Sequence, residues 1–299
     1  MKSLQLRTLI SRNCKLFFKD KGLFVPSLIA PLILLFLFIA FLGNVYRDSI
    51  RGVVDGFPIS NKLVESIAGG WLFSSLLAVS AVTIAFTANV VMVQDRATGR
   101  RNDLTVAPVL PHILALSYFI STFLVTATIC LTALGAGFVY IGICGWHLGA
   151  WDVVATILDT LLLILFGTAL SSIVCHFLKS QGGVTAVQAI VSSAYGFLCG
   201  AYMPLSQLTP WLKDILMFLP GTYGTGLLHL HLMGGAMAAG GMPAELVTGL
   251  KDGFDCTLYF FGTAVPEWAC YLVLAVSIAL LTGVYVLLCT LRHRRMRTK

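Results

Sequence analysis

Ile67 to Arg101 reads IAGGWLFSSLLAVSAVTIAFTANVVMVQDRATGRR. Nothing from Ile67 to Val93 is charged, and then Asp95, Arg96, Arg100 and Arg101 arrive within two turns of chain. About 20 apolar residues suffice to cross a bilayer as a helix, which satisfies its own backbone hydrogen bonds where no water can. The run therefore predicts a membrane-spanning helix, and the abrupt charge marks the point where it leaves the hydrocarbon.

Working outward, five more runs satisfy the same criterion: about Leu23 to Val45, Ile113 to Ile143, Val153 to Leu178, Val184 to Tyr202 and Trp268 to Leu291. With Ile67 to Val93 they make six predicted spans, several longer than the minimum, so tilt is expected. The composition agrees. The 299 residues are 58% hydrophobic and 11% charged, with a mean hydropathy of +0.89, whereas soluble domains carry about 25% charge. The fold class expected is an all-α integral membrane protein forming a single transmembrane domain over residues 1–299. The first apolar run is too long for a signal-peptide core, so the N-terminus is expected to stay on.

A net charge of +7 would suggest nucleic acid as a partner of a soluble chain; here its distribution gives topology instead. With the N-terminus in the cytoplasm, fifteen of the twenty Lys and Arg fall inside: Lys2, Arg7, Arg12, Lys15, Lys19, Lys21, Arg96, Arg100, Arg101, Lys179, Arg292, Arg294, Arg295, Arg297 and Lys299. The positive-inside rule thus places both termini in the cytoplasm, and no nucleic acid is needed to explain the charge. Residues 203–265 tempt a seventh span, which would put the basic tail outside. Their Pro and Gly density instead predicts a re-entrant helical hairpin between spans five and six, dipping in from the external side with irregular backbone covered by protein.

Residues 1–22 place Leu6, Leu9, Ile10, Leu16 and Phe17 among Arg7, Arg12, Lys15 and Lys19. This spacing predicts an interfacial helix whose apolar face lies in the headgroup zone and whose bases meet membrane lipid. Asp159 is the only acid well inside a predicted span. Intramembrane carboxylates default to function; the alternative is that Asp159, about two turns from the outer end, reaches water or the neighbouring Thr156 or Thr160. Tyr195, Phe197, Tyr202 and Met203 could line a translocation path, though ordinary packing accounts for them equally well. Gly196 with Gly200, and Ala133 with Gly137, have the small-xxx-small spacing of close helix contacts, within or between subunits. Cys256 and Cys270 could pair if both lie outside. His229 and His231, two apart, do not share a helix face and predict no metal site. There is no HExxH, no GxSxG and no GxxxxGK[ST] loop, so no catalytic residues, bound metal or bound cofactor are expected of this chain.

The ordered set of features resembles the membrane subunit of a bacterial ABC-2 type ABC transporter, over essentially the whole chain. FFKDKGLFVPSLIAPLILLFLFIAFLG with Pro31 is similar to that family's approach to its first span. QDRATGRRNDLTVAPV, with Asp95, Arg96, Gly99 and Pro108, is similar to its first cytoplasmic loop, although Asp95 stands for the more usual Glu and Gly99-Arg100-Arg101-Asn102 for the usual Gly-Thr-Leu-Glu. GAYMPLSQLTPWLKDILMFLPGTYGTGLL, with Pro204, Pro210 and Pro220, is similar to the family's end of span five and re-entrant hairpin. The resemblance implies an exporter in the bacterial inner membrane, handling a drug-like, lipid or peptide substrate. ATP and Mg would be bound by a partner ATPase subunit, and a second permease subunit, identical or related, would complete the path. It implies that residues 94–112 are the ATPase-coupling loop, with Arg96, Arg100 and Arg101 bonding to acids on the ATPase. Asp95 and Asp103 would sit near the start of their helices or pair with those arginines. The alternative readings are a self-contained secondary transporter or channel, which predicts more paired intramembrane charges, and a membrane enzyme acting on lipid.

Overall fold

The computed structural model describes residues 2–100 and 110–297, and these are almost entirely helical. In chain order the helices are α1 (Lys2–Lys19), α2 (Lys21–Leu37), α3 (Gly43–Val53), α4 (Asn61–Ala97), α5 (Pro111–Cys144), α6 (Ala150–Phe177), α7 (Gln181–Leu198), α8 (Pro210–Leu216), α9 (Pro220–Ala239), α10 (Ala244–Gly253) and α11 (Glu267–Arg297). Between α10 and α11 a two-residue antiparallel ladder pairs Tyr259 with Ala264 and Phe260 with Thr263.

Five helical stretches are long and apolar enough to cross a membrane: Lys21–Val53, Asn61–Ala97, His112–Cys144, Ala150–Phe177 and Glu267–Leu291; Gly182–Leu198 is a shorter apolar helix. The first joins α2 to α3 through a π-helical turn, Phe38–Leu42, and tolerates Pro26 and Pro31 in its interior. The wider turn absorbs one register slip without breaking the helix.

α4 is the trunk. Its most apolar window is buried throughout, and α2, α5, α6, α7 and α9 all pack on it. Its Ala, Ser, Thr and Gly content explains how: small side chains let neighbouring backbones come close, which is where helices in lipid gain packing energy. The closest approaches are glycines. Gly70 of α4 meets the backbone of Leu232 on α9, and Gly167 of α6 meets that of Ala81 on α4. Gly196 is covered by the ring of Tyr202, and Gly137 by that of Phe73, so these two small residues serve contacts within the chain.

The amphipathic N-terminal helix exists. α1 buries Leu9, Asn13 and Phe17, one turn apart on one face, and packs chiefly on α5. Residues 203–265 hold more regular structure than expected: α9 is twenty residues long and largely buried, against α4, α6 and α11. Asp255 fastens this region. At a φ of 55°, its carboxylate accepts the backbone N–H groups of Leu205 and of Ser206, the latter at 3.2 Å. Burial raises its carboxyl to about 7 despite both bonds. Cys256 and Cys270 are both buried free thiols, which corrects the expected pairing.

Candidate functional site

The end of α4 is where the sequence changes character, and there the structure gathers four helices. Asp95 is buried, 1% exposed, in the last turn of α4. Both terminal nitrogens of the Arg12 guanidinium donate to its two oxygens, at 2.7 and 2.8 Å, and the Tyr118 hydroxyl of α5 donates to Oδ2 at 2.7 Å. Bidentate, charge-assisted bonds of this kind fix orientation as well as distance. Arg12 Nη1 also donates to the Asn13 side chain at 3.0 Å, and Asn13 Nδ2 donates to Ser121 Oγ at 3.3 Å. Hydrogen bonding to Asp95 raises the Arg12 pKa further above its ordinary value, so the guanidinium stays charged at any physiological pH.

The next residue points elsewhere. Arg96 Nη1 donates to the backbone carbonyls of Cys175, His176 and Leu178, at 3.3, 2.9 and 2.7 Å. These carbonyls end α6, where orphan acceptors and the negative end of the helix dipole favour a cation. Adjacent acid and base at the tip of α4 thus hold α1 and α5 on one side and α6 on the other. Gly99 follows at a φ of 78°, a left-handed conformation that glycine adopts without strain and that stops the helix.

Two corrections follow. Asp95 sits at the end of a helix rather than near a start, and its partner is Arg12 rather than a loop arginine; a carboxylate this buried has its charge answered inside the chain. Arg96 caps α6. Of the charged coupling residues expected in the loop, Arg100 is exposed; Arg101 and Asp103 lie outside the described residues. Along α1, Arg7, Lys15 and Lys19 are exposed, while Arg12 is drawn into the bundle. Sequence spacing marked Arg12 only as one base among four.

Above this junction the trunk carries a polar layer. Asn89 Nδ2 donates to Ser171 Oγ at 2.6 Å and Ser172 Oγ at 3.2 Å, Thr122 Oγ1 donates to Asn89 Oδ1 at 3.1 Å, and Gln188 Nε2 donates to Thr87 Oγ1 at 2.7 Å. These bonds join α4 to α5, α6 and α7. Such interhelical bonds contribute about 0.6 kcal/mol each in membrane proteins, so the layer sets register more than stability.

The proposed path residues do not converge. Tyr202 lines a groove of about 980 Å³ between α2 and the α4–α7 pair, where Ile29, Ile33 and Phe41 face Gln188 and Ser192. Tyr195 lines a separate apolar cavity of about 440 Å³ with Phe166 and Leu281. Asp159 lines neither: its Oδ2 lies 2.7 Å from Nδ1 of His231 on α9. That corrects the expectation that it reaches water or Thr156; Thr156 and Thr160 bond their own helix backbone instead. Nothing in the sequence pattern linked Asp159 to a histidine 72 residues away.

The described residues thus hold an amphipathic N-terminal helix, long apolar helices whose ends meet at one charged junction, and a trunk helix on which α2, α5, α6, α7 and α9 pack. A family model described as ABC-2 type transporter matches residues 4–232. The chain belongs to the ABC-2 type transporter family. It is a multi-pass membrane protein and carries the transport permease part of such a system. The match runs from α1 into α9 and takes in the Arg12–Asp95 junction, the groove and His231. No curated protein matches this ABC-2 chain. Among the described residues no group of three or more His, Cys, Asp or Glu could hold a metal ion.

Proposed function

We propose that this chain is the membrane subunit of an ATP-driven exporter, working with a second permease subunit and with separate ATPase subunits that bind ATP and Mg. In this reading six helices cross the bacterial inner membrane, α7 being the fifth, with both termini in the cytoplasm. α8 to α10 then form the re-entrant external region. The distribution of Lys and Arg supports that orientation.

The observation that carries the reading is the junction at the tip of α4. A partner pressing on residues 98–110 moves a helix end bonded through Asp95 to α1 and α5 and through Arg96 to α6. Packed helices held this way shift as units rather than bending locally. Among the described residues, Arg100 and the exposed bases of α1 are available to acids on an ATPase. The groove beside Tyr202, apolar on the α2 wall and lined with Gln and Ser on the other, supports a drug-like or lipid substrate.

The test is co-expression of the full chain with the neighbouring genes, capture of an ATPase, and transport into vesicles with and without ATP. Capture with ATP-dependent transport supports the proposal; ATP-independent transport with no ATPase captured overturns it. The second reading, a self-contained carrier coupled to protons, is favoured by one observation, the Asp159–His231 pair, and predicts that second outcome.

A further inference from the structure

His231 stands between two carboxylates. Its Nδ1 lies 2.7 Å from Asp159 Oδ2 on α6, and its Nε2 lies 3.4 Å from Glu267 Oε1 on α11. A neutral imidazole has one N–H and one lone pair. With both ring nitrogens turned toward carboxylate oxygens, a neutral ring between two ionised acids would set its lone pair against a negative oxygen. One added proton on the ring removes the conflict: an imidazolium donates from both nitrogens, one N–H to each flanking carboxylate.

The exposure of the three side chains is graded: 46% at Glu267, 5% at His231 and 0% at Asp159. Glu267 begins α11 beside the exposed Trp268, so it reaches water, while Asp159 is sealed. The other oxygen of Asp159, Oδ1, is buried and has no partner at hydrogen-bonding distance among the described residues; the Tyr271 hydroxyl is the one neutral donor turned toward this carboxylate, and a negative charge there without a cation is costly. The other groups turned toward the cluster are Asp152 on α6 and Tyr271 and Cys270 on α11. Every ionised form they have adds negative charge, so none supplies the missing cation. From α4, Ser75 and the ring of Trp71 face His229 instead, at 3.3 Å and at a 6.0 Å ring separation. On α10, Asp252 is engaged by Tyr259.

We propose that Asp159, His231 and Glu267 form a one-proton binding site, loaded from the aqueous side that Glu267 faces, and that the bound proton holds α9 to α6 and α11. The proton passes from water to Glu267 or directly to Nε2, and leaves the same way. On the orientation argued above that side is external, so the packing of α9 responds to outside pH. The site itself needs no ATPase and stands whether or not that reading does.

The test uses the full-length chain in lipid nanodiscs, with ¹⁵N-labelled histidine and the His231 signals assigned through His231→Gln. Glu267→Gln, at a half-exposed position, leaves the fold intact. In the wild type His231 stays protonated on both nitrogens well above the ordinary value of about 6.5. In the variant the midpoint falls by at least one pH unit, a tenfold loss of proton affinity. Spin labels replace Gly234, where a side chain meets open space, and the exposed Leu272. Their separation widens as pH rises through the wild-type midpoint, and the widening moves down with it in Glu267→Gln. A single N–H on His231 at pH 7, or a midpoint unmoved by Glu267→Gln, overturns the site. A label distance indifferent to pH while His231 titrates overturns its hold on α9.

Discussion

Among the described residues Asp95 and Asp159 are the buried aspartates of the helical bundle proper, and each has one basic partner brought from another helix. Asp95 ends α4 beside the terminus of α6; Asp159 lies eighteen residues before Phe177, about 27 Å up that helix. Asp95 is held by arginine, in two parallel bonds, with a tyrosine hydroxyl as a third. Asp159 is held by a histidine contact on one oxygen. The difference is chemical. A guanidinium is charged at every pH a cell meets, whereas an imidazole is charged only on the acid side of its pKa. One end of the molecule is therefore built to stay clamped, and the other carries a contact that one proton can change.

The hardest way to break that comparison is Asp95→Ala. It strands the Arg12 guanidinium and the Tyr118 hydroxyl, and since Arg12 keeps some access to water the cost is at the lower end for a broken buried pair, about 3 kcal/mol. Thermal unfolding of the detergent-solubilised chain should show the loss equally at pH 6 and pH 8. Equal stability of variant and wild type would mean that the junction holds nothing.

Arg12→His sharpens the contrast by giving Asp95 the kind of partner Asp159 has. The Asp95 carboxylate raises the histidine above its ordinary value, so stability is near wild type at low pH and is lost as pH rises through that raised value. The gap between the melting temperatures of wild type and variant should widen as pH rises from 6 to 9. A flat profile would show that the partner's titration is not what separates the two ends.

Arg96→Ala is expected to cost about 1–2 kcal/mol by uncapping α6, read as faster hydrogen exchange over Cys175–Leu178. Reversing this residue to Glu therefore tests the helix cap and not an ATPase contact alone. Asp255→Asn probes a third buried acid. Because its folded value of about 7 lies above the unfolded one, the folded state keeps a proton that the unfolded state loses, and wild-type stability falls as pH rises from about 4 to 7. The variant should flatten that slope; an unchanged slope would put its origin elsewhere. The smallest structural effect is expected from Arg100→Glu, under 0.5 kcal/mol at an exposed position, with weakened ATPase capture in the co-purification. A large drop in melting temperature there would show that Arg100 is structural.

Much of the fold was legible because helix formation in lipid is local. The charge-free run from Ile67 to Val93 lies wholly within α4, and the apolar spacing of residues 1–22 is α1, whose buried Leu9 and Phe17 were on the predicted apolar face. The family was legible too, through the order of Asp95, Arg96, Gly99 and the downstream prolines. Partners were not. Charge counting treated Arg12 and Arg96 as two equivalent bases, yet one answers a carboxylate 83 residues away and the other closes the end of α6. The length and burial of α9 were hidden because its Gly and Pro content reads as short helices with irregular backbone between them, although those glycines let it lie against Leu163 and Leu258.

The sequence by itself determined that the chain is built of long apolar helices, where most of them stop and which segments carry the bases, since each depends on neighbours within a turn or two. Tertiary structure alone decided which buried acid meets arginine and which meets histidine. Those pairings join residues 72 and 83 positions apart, and only the packing of whole helices on α4 brings such side chains within hydrogen-bonding distance.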